Sequence, residues 1–523
     1  MIFTFFFGNV NNYSYSKKRK TIKSKSAKSI KSNKRNKSKK KTSTKKGSLS
    51  YQIDTIFVIK DIEFINKYNE QLILEKQINE KLINEKKIIE KSQNSSKKLN
   101  KSTNLSTTLS KKTITQQQID TNNIPTYFNL EFKRGRIVNS AHIIKIPKKY
   151  YNNIDIIKAN NTVRDLKKLA HILEINDTLS LFSPYFGGVN ASFWRAYTNT
   201  PIGPTFIGGE PIELNTYKNW SSTFFDQNNS PYIGNFEVNA SVTCFNLCEF
   251  QINNVNKRSD TNGVVLYNNY YGAEIPYISN DKLDKLLEET VTSFNDALEL
   301  QDSTEQEFDI EQFRTIQKEL EQSKNIENNL IKLAFEYLEA PVINKSIKAK
   351  VISKNSGVVP LNKNGFVISF GKDFPIDLMP KLGEIVNLNF NTNIYQDVIF
   401  KNSVSATPRL VTEGIAKHQA YEEGSKGRRF ISKDLPRTAI GYDENKENLF
   451  LVCFEATDDQ GHRGVSLEKL SILMKLIGCY DAMNLDGGGS SNMIVKSKNK
   501  VRSSSIFNSR KISVGIGLKS TKY

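Results

Sequence analysis

The 523-residue sequence contains few cysteines and no long apolar run, and each shortage excludes a class of protein. Four cysteines are too few for a disulfide scaffold, and we expect reduced, buried thiols at Cys244, Cys248, Cys453 and Cys479. No later stretch approaches the ~20 apolar residues of a membrane span. The apolar residues 1–7 precede the basic run, whereas a secretory signal begins with its basic residues. We therefore expect a soluble, intracellular or particle-associated protein with no membrane partner.

The first part of the chain has no acidic residues, so the net positive charge is concentrated there. Residues 17–46 contain sixteen Lys and Arg, no acid precedes Asp54, and these sixteen account for most of the net charge of +21. The rest of the chain is nearly balanced, so a basic groove in the folded part is not implied. A solvated tail, a contact with nucleic acid or another acidic surface, and a localisation patch all remain open for residues 17–46.

The composition divides the chain into a tail, a charged helical segment and a folded part. Residues 1–50 are rich in Lys, Ser, Thr and Asn and predict a disordered tail. Residues 51–122 predict a charged amphipathic helix followed by a polar linker. Apolar residues recur at spacings of three and four within 60–91, so a short coiled coil could mediate oligomerisation there, although the heptad is broken.

Residues 123–523 have the pattern of an α+β domain with mixed twisted sheets and packed helices. Short β-branched and aromatic runs between Gly, Asn and Pro predict strands at 141–146, 263–267, 365–371, 384–390, 449–454 and 512–518. Helical spacing predicts helices at 163–173 and 466–477. Residues 280–340 are acidic and predict a helical insertion, with its second helix at 312–339.

The most informative segment of the sequence surrounds three successive glycines, Gly487, Gly488 and Gly489. A glycine run removes side chains from a turn and lets backbone N–H groups approach an anionic ligand. Asn484, Asp486, Ser490 and Ser491 surround this turn with polar groups. A glycine run alone is a weak signal, but these neighbours make a binding or catalytic turn the favoured interpretation.

Several motifs in this order resemble the phosphodiester glycosidase family. The C-terminal motifs are residues 436–443, 460–468 and 484–491, and the similar motifs upstream are 188–194, 256–258, 266–267, 365–369, 382–386 and 408–414. The resemblance runs from about residue 125 to the C-terminus and excludes the helical insertion. It implies hydrolysis of a sugar, N-acetylglucosamine-like, from a sugar 1-phosphodiester, and hence a glycan, glycoprotein, polymer or nucleotide sugar as substrate.

The chemistry of such a reaction assigns roles to the charged residues of these motifs. A phosphate diester leaves as a stable anion, and the guanidinium groups of Arg258, Arg437 and Arg463 are candidates to hold it. A carboxylate is needed beside the anomeric carbon, for which Asp486 is the first candidate and Glu455 the second. The other predicted substrate-binding residues are Asn190, Asn484, Gly487, Gly488, Gly489, Ser490 and Ser491.

The sequence departs from the family pattern at two places. Glu455-Ala456 stands where many members have Asp-Gly, and Asn190-Ala191-Ser192 stands where the family has Asn-Gly-Gly. These departures motivate an alternative, a catalytically inactive protein that binds glycan or phosphate and is tethered by its basic tail. Binding of nucleic acid alone is less favoured, because the basic segment lacks interleaved aromatic residues.

No cofactor is firmly implied by the sequence. The acidic and Asn groups around the glycine turn leave Ca²⁺ or Mg²⁺ open as a ligand. Cys244 and Cys248 have a spacing that zinc can use, but a structural zinc site needs four ligands and no histidine lies near them. We therefore predict no metal ligands among the site residues.

Overall fold

The computed structural model describes residues 52–57, 124–134, 137–159, 162–179, 184–195, 198–244, 249–258, 260–275, 327–425, 427–454, 464–497, 500–503 and 510–520. All of them belong to one unit, residues 50–523. The predicted tail, the segment 60–91, the linker and most of the predicted insertion lie outside the described residues. Those interpretations stay predictions.

The described residues form strands far more often than helices. The first strands are β1 Gln52–Phe57, β2 Thr126–Arg134, β3 Ile137–Pro147, β4 Ile154–Lys158, β5 Tyr185–Asn190, β6 Thr205–Ile207, β7 Glu210–Glu213, β8 Ser221–Asp226, β9 Pro231–Gly234, β10 Val238–Cys244, β11 Glu249–Ile252, β12 Asn254–Val255, β13 Val265–Tyr267 and β14 Glu274–Ile275. The later strands are β15 Lys332–Tyr337, β16 Ile347–Asn355, β17 Val359–Pro360, β18 Gly365–Ser369, β19 Ile385–Thr392, β20 Phe400–Ala406, β21 Arg409–Thr412, β22 Ile415–Ala416, β23 Arg437–Tyr442, β24 Asn448–Phe454, β25 Asp481–Asn484, β26 Met493–Ser497, β27 Lys500–Ser503 and β28 Val514–Lys519. The α-helices are α1 Leu169–Leu179, α2 Arg428–Ser432 and α3 Leu467–Ile477, and short 3-10 helices span Lys148–Asn153, Ile376–Leu378 and Gly488–Ser490.

Within the described ranges these strands form five sheets, two of which have eight strands. The first large sheet has the order β1-β2-β3-β24-β23-β25-β21-β22, and the second has the order β11-β10-β19-β16-β15-β18-β13-β12. Two five-stranded sheets have the orders β7-β6-β20-β8-β9 and β27-β26-β5-β28-β4, and β14 pairs with β17. The α+β expectation is compatible with this architecture, in which sheet predominates.

The largest apolar cluster joins the first large sheet to the five-stranded sheet that contains β5, β26 and β28. Val189, Val495 and Ile516 from the smaller sheet are buried in the same cluster as Ile144 and Leu451 from the larger one. A second cluster lies on the other large sheet and contains Leu333, Phe335 and Phe390. The glycine turn lies at the junction of these two sheets, where β25 leads into β26.

Helix α3 forms as its sequence predicts. Ser466 is the N-cap, and its side-chain Oγ accepts a hydrogen bond of 3.3 Å from the backbone N–H of Lys469. Leu467, Leu470, Leu473 and Met474 are buried on one face, at the helical spacing of three and four. Gly478 ends the helix with a φ of 112°, which a glycine adopts without strain.

The predicted strands are confirmed, since 141–146, 263–267, 365–371, 384–390, 449–454 and 512–518 overlap β3, β13, β18, β19, β24 and β28. The helix predicted at 163–173 begins later, at Leu169. The backbone of Lys167 forms a bridge with Ile512, and Val163 N–H donates to Tyr270 O, so this segment is held in an extended path.

Two predictions of helix are wrong where the structure has strands. Gln52–Phe57 pairs antiparallel with β2, although the helical segment was predicted to begin near residue 51. Lys332–Tyr337 is a strand between β16 and β18, although helix was predicted up to residue 339. Leu333, Phe335 and Tyr337 alternate into the apolar cluster of this sheet, a two-residue period that outweighs helical propensity here.

The cysteine prediction is partly wrong. Cys453 and Cys479 are free and buried, as expected, but Cys244 is disulfide-bonded rather than reduced. In the described part of the chain, no helix combines the length and apolar composition that crossing a bilayer requires.

We expect Leu470→Ala to lower the free energy of unfolding by about 2–5 kcal/mol, because the side chain is fully buried under the first sheet. The matched control is Leu476→Ala on the same helix, since Leu476 is 43% exposed and should change stability by about 0.5 kcal/mol or less. Urea unfolding of both variants measures the difference. Equal losses would contradict the placement of the buried face.

Candidate active site

The glycine turn connects two sheets and is fixed by backbone hydrogen bonds. After β25, Leu485 N–H donates to Thr438 O at 2.8 Å, and Asp486 N–H donates to Ala191 O at 2.9 Å. Gly488 N–H donates to Pro436 O at 2.9 Å. Gly488 has a φ of 60°, a conformation that glycine adopts without a steric penalty. The turn therefore has one defined path between strands of different sheets.

The side chain of Asn190, at the end of β5, joins the three segments around this turn. Its Nδ2 donates to the backbone oxygen of Asp486 at 2.6 Å. Its Oδ1 accepts from Thr438 Oγ1 at 2.7 Å and from the backbone N–H of Asn492 at 3.0 Å. The residue is fully buried. Asn190 thus sets the position of the predicted catalytic residue through the main chain.

Asp486 is a buried carboxyl, only 5% exposed. Burial raises its pKa from 3.8 to about 6, because a charged carboxylate is poorly solvated there. Ser490, the positive charge of Arg510 and the backbone N–H of Gly487 oppose this shift in that order. Ser490 Oγ lies close enough to favour the charged form, although its geometry falls short of a regular hydrogen bond. At neutral pH most of the carboxyl is charged.

Three polar side-chain atoms beside Asp486 have no hydrogen-bond partner among the described residues. They are Asn484 Oδ1, Ser490 Oγ and Ser491 Oγ, and all three are buried. The Asn484 amide Nδ2 is satisfied, because it donates to Thr407 O and Leu485 O at 2.7 Å each. An unpaired buried polar atom costs about 1–3 kcal/mol. Their grouping around one turn is typical of a site that is completed by a ligand.

Arg510 is a site residue that the sequence analysis missed. Its backbone N–H donates to Gly489 O at 3.1 Å, and its side-chain Nε lies 4.0 Å from where a Cβ on Gly489 would stand. Its positive charge favours the charged form of Asp486 and partly opposes the rise in pKa that burial causes. The residue lies far from the turn in sequence and just before β28, which pairs with the strand of Asn190. Only that pairing brings it to the site.

Arg437, at the start of β23, lies beside the same turn. Its Nε donates to Val465 O at 3.2 Å, its Nη2 donates to Phe430 O, and its Cζ lies 4.8 Å from the Phe430 ring centroid. A Cβ on Gly487 would stand 4.0 Å from its Nη1. The guanidinium is 99% buried. Arg437 therefore supports the turn and contributes positive charge next to Gly487.

Arg258 belongs to a different hydrogen-bonded cluster. Its Nε donates to Glu327, its Nη1 to Asp260 O and Gly263 O, and its Nη2 to the backbone and hydroxyl oxygens of Ser369. All five N–H groups therefore have protein acceptors, and none of these acceptors is shared with the glycine turn. This arrangement leaves no donor for a phosphate, and we do not include Arg258 in the proposed site.

Glu455 and Arg463 lie outside the described residues, so their predicted roles stay predictions. Glu455 follows directly on Phe454, which is paired with Arg437 across β23 and β24. The two substitutions in the Asn190 motif are described, and both side chains are packed inside. Ala191 is fully buried in the apolar cluster, and Ser192 Oγ accepts from Ser405 N–H at 3.3 Å. The added side chains are thus accommodated by the protein interior.

A metal centre does not emerge from the described residues, since no group of three or more His, Cys, Asp or Glu side chains there could hold an ion. The predicted options of Ca²⁺ and Mg²⁺ would depend on Asp486 and the neutral oxygens of Asn484, Ser490 and Ser491. One carboxylate is a weak donor set for either cation. We therefore describe the site by its carboxyl, its arginines and its unpaired polar atoms.

Comparison with known proteins agrees with the resemblance seen in the sequence. Residues 343–519 match the family model described as phosphodiester glycosidase, which confirms that resemblance and includes Arg437, Asp486 and Arg510. No curated protein matches the chain.

Solved structures extend the comparison to the fold. A hypothetical protein from Synechocystis has 17% sequence identity and a TM-score of 0.50, with 76% of this chain and 62% of that chain covered. This chain therefore spans less than two thirds of that protein. An exported protein from Burkholderia pseudomallei has 13% identity and a TM-score of 0.45, with coverages of 73% and 74%. The catalytic domain of zebrafish N-acetylglucosamine-1-phosphodiester alpha-N-acetylglucosaminidase, auto-inhibited by its pro-peptide, has 11% identity and a TM-score of 0.36, with coverages of 75% and 82%.

We expect Asn190→Ala to lower the free energy of unfolding by at least about 2 kcal/mol, because it removes three buried hydrogen bonds and leaves the partner groups unpaired. Thr438→Val removes one of the three and should cost about 1 kcal/mol. Chemical denaturation of both variants and the wild type measures the two losses in the free energy of unfolding. A loss from Asn190→Ala no larger than that from Thr438→Val would contradict the role of Asn190 as the common link.

We expect Asp486→Asn to be more stable than the wild type above pH 7, by on the order of 2–3 kcal/mol. The folded pKa of about 6 exceeds that of an unfolded Asp, so wild-type stability falls as pH rises between about 4 and 6 and then levels off. The difference between variant and wild type should therefore vanish near pH 4. Urea unfolding at pH 4, 6 and 7.5 measures it, with exposed Asp397→Asn as the control.

Proposed function

We propose that this chain is a phosphodiester glycosidase that hydrolyses a sugar 1-phosphodiester at the anomeric carbon. The observation that carries the proposal is the buried Asp486 in a fixed glycine turn beside Arg510, within the segment that matches the family model. That match supports a glycosidase-type function on phosphodiester-linked sugars. We take the sugar to be N-acetylglucosamine-like, as the family resemblance implies.

In this reaction the bond between the anomeric carbon and the phosphate oxygen breaks, and water supplies the new hydroxyl group. The products are a free sugar and a phosphomonoester. The phosphate leaves as an anion and does not need a proton at neutral pH, so cations that hold its charge are sufficient on that side. Arg510 has the position for this role, with Arg437 adding positive charge from beneath the turn.

Asp486 supplies the carboxylate that the anomeric carbon requires as positive charge develops on the sugar ring. Its charged form is the active one for electrostatic stabilisation, nucleophilic attack or activation of water. A pKa of about 6 leaves most of the group charged at neutral pH while keeping it a stronger base than an exposed Asp. The unpaired atoms of Asn484, Ser490 and Ser491 are available to hydroxyl or phosphate oxygens.

The second candidate is a catalytically inactive protein that binds glycan or phosphate with the same turn. The observation in its favour is Glu455-Ala456, in place of the Asp-Gly of many family members. The unpaired polar atoms and Arg510 would bind a sugar phosphate equally well without turnover. Binding without release of sugar separates this candidate from the enzyme.

We expect release of N-acetylglucosamine from an N-acetylglucosamine 1-phosphodiester or from UDP-N-acetylglucosamine, and a loss of at least about a hundredfold in kcat/KM for Asp486→Asn. Because the charged carboxylate is required, kcat/KM of the wild type should rise with pH through about 6 and then level off. Product sugar is quantified at pH 5 to 8.

The matched control is Asp434→Asn, which removes a partly exposed carboxyl paired with Lys469 and should leave kcat/KM within a factor of about two. Folded wild-type protein that binds either substrate but releases no sugar would establish the binding-protein alternative. Unchanged turnover in Asp486→Asn would remove this carboxyl from the mechanism.

A further inference from the structure

Trp220 carries a buried donor without a partner. It precedes β8 and is only 5% exposed, and its indole Nε1–H has no hydrogen-bond acceptor in the part of the chain that the structure describes. A buried tryptophan N–H usually has a partner, because leaving it unpaired costs about 1–3 kcal/mol. An acceptor from outside the chain would remove this cost.

The segment around Trp220 is held firmly, so the unpaired N–H is not the result of a loose loop. Ser221 N–H donates to Glu423 Oε2 at 3.2 Å, and Ser221 Oγ donates to Glu423 Oε1 at 2.6 Å. Lys218 Nζ donates to Gly424 O at 3.3 Å. Glu423 is 99% buried. These bonds fix the residues on both sides of Trp220 to the turn at 420–425.

The same turn presents a second unpaired group. Ser425, two residues after Glu423, is 3% exposed, and its Oγ has no partner among the described residues. A donor on one segment and a hydroxyl on the segment bonded to it therefore both lack partners among the described residues. Two such groups in neighbouring segments indicate a polar ligand more strongly than either group alone.

Aromatic rings connect Trp220 to the candidate active site. The Phe193 ring centroid lies 5.3 Å from that of Trp220 and 6.3 Å from that of Phe430. The Phe430 centroid in turn lies 4.8 Å from Arg437 Cζ beside the glycine turn. Phe193 also follows Asn190 by three residues. Trp220, Phe193 and Phe430 all belong to the largest apolar cluster, which also contains Leu485 beside the glycine turn.

We propose that Trp220 and Ser425 form the subsite that recognises the sugar. The indole N–H donates to a ring hydroxyl or acyl oxygen of the pyranose whose anomeric carbon lies at Asp486, and Ser425 Oγ binds a second sugar oxygen. The proposal rests on the proposed function, because it places the sugar next to the glycine turn. Of the two residues, Trp220 lies outside the segment 343–519 that matches the family model, and Ser425 lies inside it.

The chain offers a direct probe, because it has two tryptophans, Trp194 and Trp220, and hence two indole N–H signals in a ¹⁵N spectrum. Trp194→Phe assigns them. We expect the Trp220 signal of full-length wild-type protein to shift on titration with free N-acetylglucosamine, and the Trp194 signal to move less. Trp220→Phe retains an aromatic ring and removes the donor, so KM should rise three- to tenfold with little change in kcat. Ser425→Ala should raise KM in the same direction.

The outcomes separate this subsite from the proposed reaction. A Trp220 signal that stays in place while Asp486-dependent turnover is measured overturns the subsite and leaves the function standing. A sugar-dependent shift in a protein without turnover supports the subsite and overturns the hydrolysis. An unchanged KM in folded Trp220→Phe and Ser425→Ala overturns the subsite. If either variant fails to fold, the indole N–H spectrum of the wild type with and without N-acetylglucosamine decides whether the sugar binds at Trp220.

Discussion

The site depends on the hydrogen bonds of one buried amide, the side chain of Asn190. It ties the main chain of Asp486, on the turn after β25, to Thr438 on β23 and to Asn492 before β26. Both functions of an amide are needed, because the oxygen accepts two bonds while the nitrogen donates one. An aspartate in its place would lose the donor and add a charge. The geometry of the glycine turn therefore depends on the donor and acceptor atoms of Asn190 as well as on the course of the backbone.

Close to Asn190, the burial of Asp486 lowers the stability of the folded state when the carboxyl is charged. The carboxyl is buried, and burial disfavours its charged form, so the pKa rises to about 6. Arg510 partly offsets that cost without forming a direct ion pair in this structure. A carboxyl that was fully neutralised by a salt bridge would be a weak base and a weak nucleophile. The incomplete compensation keeps the pKa of Asp486 above that of an exposed aspartate.

The local part of this arrangement could be predicted from the sequence. The glycine run with its polar neighbours and helix α3 are each signalled by residues close together in the sequence, and both were identified. Arg510 could not be found in this way, because only the pairing of β28 with β5 brings it to Gly489. The strand Lys332–Tyr337 was predicted as helix, because its short alternation of Leu333, Phe335 and Tyr337 lies at the end of a longer acidic segment with helical character.

The sequence motifs assigned Arg258 and Arg437 to one phosphate-binding site. The hydrogen bonds of the buried polar groups show that the two arginines lie in different clusters. Around Arg258 every guanidinium N–H has an acceptor, and Ser369 Oγ donates to Glu327, so that cluster stabilises the second sheet without a ligand. Around Asp486 the side-chain oxygens of Asn484, Ser490 and Ser491 have no hydrogen-bond partner within the described part of the chain. An unpaired buried polar group costs stability, and in the proposed function a ligand supplies the missing bonds at the glycine turn. The proposed sugar subsite applies the same criterion to Trp220 and Ser425, whose buried polar atoms have no partner among the described residues.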